Sequence, residues 1–93
     1  MATFVLNKRY GGFSVSDFVV KQMGLEDNYH YFDGDEWDTL ADLIKTYGSE
    51  KCSGSSARLK VVEIPDNFTD YEITDYDGVE TITYVIDGKI YHA

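Results

Sequence analysis

Apolar positions recur with a period of two in the last third of the chain and near 3.6 in the middle third. That change of period sets the expected architecture. Leu59-Lys60-Val61-Val62-Glu63-Ile64 places Leu59, Val61 and Glu63 on one face of a strand and Lys60, Val62 and Ile64 on the other. Pro65 stops it, and both faces carry apolar residues, so this strand is expected to be central and largely buried. Tyr71–Tyr76 forms the next strand. Val79–Ile86 follows, with Ile82, Tyr84 and Ile86 on one face and Val79, Thr81, Thr83 and Val85 on the other. Asp77-Gly78 and Asp87-Gly88 separate these runs, and Asp-Gly between alternating segments signals a tight type I′ hairpin. Lys89–His92 then closes an antiparallel meander.

The first half reads differently. Phe4-Val5-Leu6 centres a strand over Thr3–Lys8, with one face or both buried. Val15, Phe18, Val19 and Met23 share one side of a short helix that Gly24 ends. Ser14 with Asp17 three residues on forms a capping box, and Ser16 is the competing cap. Leu25–Glu36 has no clean period and is expected to be an ordered loop. Trp37, Leu40, Ala41, Leu43, Ile44 and Tyr47 form the widest apolar stripe in the chain, capped by Asp35 or Asp38 and stopped at Gly48. Ser49–Ser56 is rich in serine and glycine and is expected to be a flexible connection. The order is β-α-α-β-β-β-β, an α+β domain with two helices packed on an antiparallel sheet. The expected core is Phe18, Val19, Trp37, Leu40, Leu43, Ile44, Val61, Val62, Ile73 and Ile82.

Composition narrows the class. The 93 residues, 43% of them hydrophobic and 15% aromatic, are enough for one domain over 1–93 with a buried core. No apolar run approaches the roughly 20 residues of a membrane span. The N-terminus lacks the basic-then-apolar form of an export signal, and the single cysteine, Cys52, cannot form an internal disulfide. These features lead to an expected cytoplasmic location.

Charge changes the picture most. The formal net charge is −9, unevenly distributed. Residues 26–50 carry eight acids against Lys45, and residues 66–93 carry seven acids against Lys89. Residues 1–25 and 51–65 are each weakly basic. Duplex nucleic acid is not an expected partner, because phosphate neutralisation needs clustered Lys and Arg. A basic protein is. Two acidic clusters with interspersed tyrosines are the candidate partner-binding residues: Asp33, Asp35, Glu36 and Asp38, and Asp70, Glu72, Asp75 and Asp77. Carboxylates along an edge can mimic DNA phosphates, and tyrosines supply contact area at low entropic cost. The same acids also serve solubility.

The alternative site is the corner after the first strand. Gly11-Gly12, Ser14 and Ser16 offer backbone N–H and hydroxyl groups, and Lys8, Arg9 and Arg58 offer positive charge, a set suited to the phosphate of a nucleotide signal held by an oligomer. The spacing matches neither phosphate-loop fingerprint, and the glycines equally suit a tight turn. Asp33–Asp38 lacks calcium-loop spacing, His30 and His92 lie far apart, and no metal or cofactor is expected. Cys52 has no His or Asn at a recognisable spacing, so no enzyme activity is expected.

Two stretches resemble a group of small phage-encoded and prophage-encoded proteins. They are Asn7-Lys8, Tyr10-Gly11-Gly12-Phe13 and Ser16 near the start, and Leu59–Asp66, Tyr71-Glu72-Ile73 and Tyr76-Asp77-Gly78 later. The resemblance covers about half of the residues and leaves out Leu25–Glu50. It implies an accessory protein of a phage or mobile element, a class rich in small inhibitors of host defence. The expected function is therefore an anti-CRISPR-like, non-enzymatic inhibitor that binds a basic, nucleic-acid-handling host protein.

Overall fold

The computed structural model describes residues 2–93. Its elements are β1 (Ala2–Asn7), α1 (Asp17–Met23), α2 (Glu36–Tyr47), α3 (Ser49–Cys52), β2 (Leu59–Ile64), β3 (Asp70–Tyr76), β4 (Val79–Ile86) and β5 (Lys89–His92). The class is α+β and the order of the main elements is the one expected. The single sheet is not. Among the described residues β1 pairs only with β2, antiparallel, and β3-β4-β5 form a separate meander.

Strand alternation explains why two sheets form. Val5, Leu59 and Val61 point from one face of the β1–β2 ribbon into the helices, where Val15, Val19, Phe32, Leu40, Ala41, Ile44, Cys52 and Ala57 complete the larger core. Ala2, Phe4, Leu6, Val62 and Ile64 point from the other face onto Ile82, Tyr84 and Phe68. A ribbon apolar on both faces must be covered on both. Helices cover one face and the meander the other, so the stack has three layers.

Local signals account for most boundaries. Asp77 and Gly78 have φ of 51° and 93°, Asp87 and Gly88 have 50° and 77°, and both pairs make two-residue turns with the left-handed geometry that type I′ demands. Gly24 ends α1 in the αL conformation. The N-cap of α1 is Ser16, whose hydroxyl accepts from Val19 N–H at 3.4 Å. The Ser14 capping box does not form. Ser14 is buried, and Asp17 instead accepts from Asn28 Nδ2 at 2.9 Å. Asp35 occupies the N-cap position of α2 without a side-chain cap bond. Glu36 makes the compensating contact, accepting from Asp33 N–H at 3.0 Å.

Two expectations fail for tertiary reasons. Ser49–Ser56 is not a flexible connection: its first half is α3, with Cys52 fully buried. Ser53 Oγ accepts from Leu59 N–H at 2.8 Å and donates to Ser49 O at 2.6 Å. Ser49 and Ser53 are thus consumed as internal caps, while Ser55 and Ser56 stay exposed. Ile73 is 42% exposed and not a core residue, because it lies on an edge strand with only one neighbour. Leu40, Ile44, Val19, Val62 and Ile82 are buried as expected. Phe18, Trp37, Leu43 and Val61 pack partly buried around the larger core.

Candidate functional sites

Asn7, at the end of β1, organises the region between the sheets. It is fully buried. Its Nδ2 donates to Arg9 O at 2.7 Å and to Gly78 O at 2.6 Å. Its Oδ1 accepts from Arg58 N–H at 2.8 Å and from Arg9 N–H at 3.3 Å. Its own N–H donates to Glu80 Oε1 at 2.7 Å. One amide thus ties β1, the start of β2 and the β3–β4 turn together. It uses all four of its hydrogen-bonding positions, as a buried amide must. No periodic signal in the sequence points to this role. Its only hint is an Asn where an apolar strand ends.

The Gly11-Gly12 corner closes around the same turn. Gly11 N–H donates to Asp77 O at 3.1 Å. A Cβ on Gly78 would sit 2.2 Å from Gly12 N, so only glycine fits there. The Gly11 N–H is therefore not free to hold an anion. The helix does not start at the corner either, since α1 begins at Asp17. Ser16 Oγ donates to Lys51 O at 2.6 Å. The Tyr10-Gly11-Gly12 and Tyr76-Asp77-Gly78 stretches are therefore neighbours in space.

The structure does bring the basic residues together. Lys8, Arg9 and Arg58 line a depression of about 760 Å³ with Ser55, beside Glu50. Lys8 is partly engaged: its Nζ donates to Glu80 O at 2.6 Å. Burial lowers its pKa, followed by repulsion from Lys60, while Glu80 acts in the opposite direction. Gly11, Gly12, Ser14 and Ser16 lie outside this depression. The seven residues proposed together from sequence thus separate into a cationic depression and a structural corner.

The acidic residues separate too. Asp33, Asp35 and Asp38 are exposed around the start of α2. Glu36 is committed locally, its Oε2 lying 2.9 Å from His30 Nε2. In β3, alternation places Tyr71, Ile73 and Asp75 on the face turned to the ribbon, and Asp70 and Glu72 on the opposite face. Asp75 accepts from Gly78 N–H at 2.7 Å, and the Asp77 carbonyl holds Gly11.

Between the start of α2 and β3 lies an aromatic groove of about 460 Å³. Thr3, Phe4 and Val5 of β1 form its floor. Tyr31, Gly34, Trp37 and Asp38 form one wall, and Tyr71 and Ile73 the other. Tyr31 is 88% exposed. Trp37 is braced from behind by Phe32 and Phe13, at ring separations of 5.3 and 5.9 Å. Phe4 stacks at a tilt on Tyr71, 5.1 Å away. Sequence reasoning named the acids and tyrosines but not the groove, because its walls are about 35 residues apart in the chain.

Cys52 is buried, and that burial pushes its thiol pKa up, away from the thiolate a nucleophile needs. Among the described residues, no helix is long and apolar enough to cross a membrane. No family model, curated protein or solved structure matches the chain.

Proposed function

We propose that this chain is a non-enzymatic binding protein, an inhibitor of the phage type, that disables a host defence system by occupying a basic surface of one of its nucleic-acid-handling proteins. The observation that carries the reading is the groove itself. Asp38 is part of one wall, with Asp33 and Asp35 exposed just before it in the chain, and Asp75 shares a strand face with the other wall. Aromatic side chains lie exposed between them. Central aromatics with a charged rim is the anatomy of a protein-binding patch. Carboxylates held on a helix start and a strand steer a basic partner into place. The phage context comes from the motif resemblance alone.

The test replaces Asp33, Asp35 and Asp38 together with Asn and leaves Glu36, whose carboxylate holds the loop. Protein captured from host lysate by the unmodified chain should be basic. Its affinity should drop at least tenfold for the triple variant and fall with rising salt, since exposed charges are screened over about 8–10 Å near physiological ionic strength. Neutralising Asp70 and Glu72, on the opposite face of β3, should have little effect. Affinity that is flat in salt and indifferent to the triple change would reduce the acids to a solubility device.

A second reading has one observation in its favour: Lys8, Arg9 and Arg58 converge on one depression in a chain with only eight basic residues. A phosphorylated small molecule, the nucleotide signal of the alternative, would sit there and not on the glycine corner. Calorimetry with cyclic and linear nucleotides tests it. Binding that Arg9→Ala and Arg58→Ala each abolish supports it, and no heat at millimolar nucleotide removes it.

A further inference from the structure

The floor of the aromatic groove is the unpaired edge of a strand. Lys8 N–H donates to Arg58 O at 2.7 Å, which marks that pair as hydrogen-bonded in the antiparallel register. Alternation then makes Leu6↔Lys60 and Phe4↔Val62 the bonded pairs. It turns the N–H and C=O groups of Thr3, Val5 and Asn7 away from β2. Asn7 confirms the direction, since its outward N–H reaches Glu80. Thr3 and Val5 have no such partner among the described residues, although Val5 is only 4% exposed. β1 therefore presents two outward N–H and two outward C=O groups at the bottom of a recess. Buried backbone groups of this kind are almost always paired, with protein or with water.

We propose that this edge takes up one extended, basic segment of a protein partner by strand addition. The inference rests on the acidic-groove reading above and specifies how that groove would be filled. Main-chain bonds to Thr3 and Val5 would supply affinity. Alternate side chains of the guest would meet Trp37 on one wall and Tyr71 on the other. Charge decides the occupant. Asp33, Asp35 and Asp38 favour lysine and arginine on the guest. The same acids, in a chain of net charge −9, oppose edge-to-edge pairing with a second copy. The recess has a second consequence: only a single strand, not a sheet, can reach the edge between the two walls.

The experiment uses the full chain and a seven-residue peptide alternating lysine and valine. Trp37, the only tryptophan, reports occupancy by fluorescence. Two further peptides carry N-methyl groups on alternate amides, one set at the lysines and one at the valines. Only alternate residues of an added strand bond the host edge. One methylated set should therefore lose at least tenfold in affinity while the other stays within about threefold. The amide protons of Thr3 and Val5 should exchange more slowly on binding. If the peptide binds and the Asp33, Asp35 and Asp38 triple variant abolishes it, but both methylated sets bind alike, strand addition is overturned and the acidic groove stands. If no peptide binds at millimolar concentration while a captured basic protein still depends on those carboxylates, strand addition is again overturned. A captured partner that ignores the carboxylates overturns the groove reading itself.

Discussion

The two faces of the β1–β2 ribbon are held in different ways. On the helix side, ten of the described residues, from every helix, both ribbon strands and the segments between them, form one buried apolar core, ringed by eight more partly buried hydrophobics. On the meander side, among the described residues, only Leu6, Val62, Ile64 and Ile82 are buried, and all seven residues of β3 are exposed. What apolar contact does not supply there, polar contact does: Asn7, the Gly11 N–H and Lys8 Nζ each reach a backbone carbonyl of the β3–β4 hairpin. The helix side should therefore behave as the stable nucleus. The meander should depend on a few directional bonds and open first, since regions with few buried contacts sit at the low end of local stability.

The largest effect expected is in the helix-side core. Leu40→Ala removes a fully buried side chain in the middle of α2 and should cost about 3–5 kcal/mol, by lost burial plus cavity. Urea denaturation followed by Trp37 fluorescence measures it. A cost under about 1 kcal/mol would mean that this core is not the nucleus.

Asn7→Ala comes next and sharpens the contrast. It leaves the carbonyl of Gly78 and the amide of Arg58 without their side-chain partner, at about 2–3 kcal/mol in all. Its signature is spatial: hydrogen exchange should accelerate in β3 and β4 while the amides of α2 keep their protection. Uniform acceleration would show that the two sides melt as one unit.

Glu80 gives a smaller, pH-dependent handle on the same junction. Burial is the main cause that raises its pKa, the Asn7 N–H opposes the rise, and Asp75 adds to it. A carboxyl that holds its proton more tightly when folded contributes stability that is fully present below its unfolded value. That contribution is lost as pH rises through the folded value. Glu80→Gln keeps the acceptor for Asn7 and removes the titration. Thermal melts of the two proteins should converge at pH below about 4, with the variant ahead at pH 7. Melting temperatures that stay parallel from pH 4 to 7 would deny Glu80 this role.

The smallest effect expected belongs to Ile73→Ala. Its side chain is 42% exposed on an edge strand, so the cost should stay below about 1 kcal/mol by area. Combined with peptide binding, this variant separates the groove from the fold: stability should barely change while occupancy weakens. A loss near that of Leu40→Ala would move Ile73 into the core.

Features that depend on neighbours in the chain were legible without the structure. The type I′ turns follow from Asp-Gly, whose left-handed conformation is set within two residues. The face assignment in β2 follows from the period of two, and α2 from its stripe. Ser16 was legible only as a rival to Ser14, because both meet the local rule for a cap. What separated them was the burial of Ser14 against Gly54, 40 residues on. Cys52 and α3 were hidden for the same reason. Serine and glycine are loop formers by propensity, and only the contact with Leu59 turns these serines into caps.

The sequence by itself determined the elements other than α3, the turn types, the two-faced character of the ribbon strands and the alternation of acidic and basic segments. Each is a property of spacing within a few residues, where backbone sterics and side-chain period leave few choices. Tertiary structure alone decided that the sheet divides in two, that Asn7 joins the parts, and that the Gly11-Gly12 corner is filled by the Asp77-Gly78 turn. It also decided that Lys8, Arg9 and Arg58 share one depression while only part of the acidic surface borders the groove. These are contacts between segments tens of residues apart. Their pairing is settled by which apolar faces must be covered and by what room is left, and no local pattern encodes that.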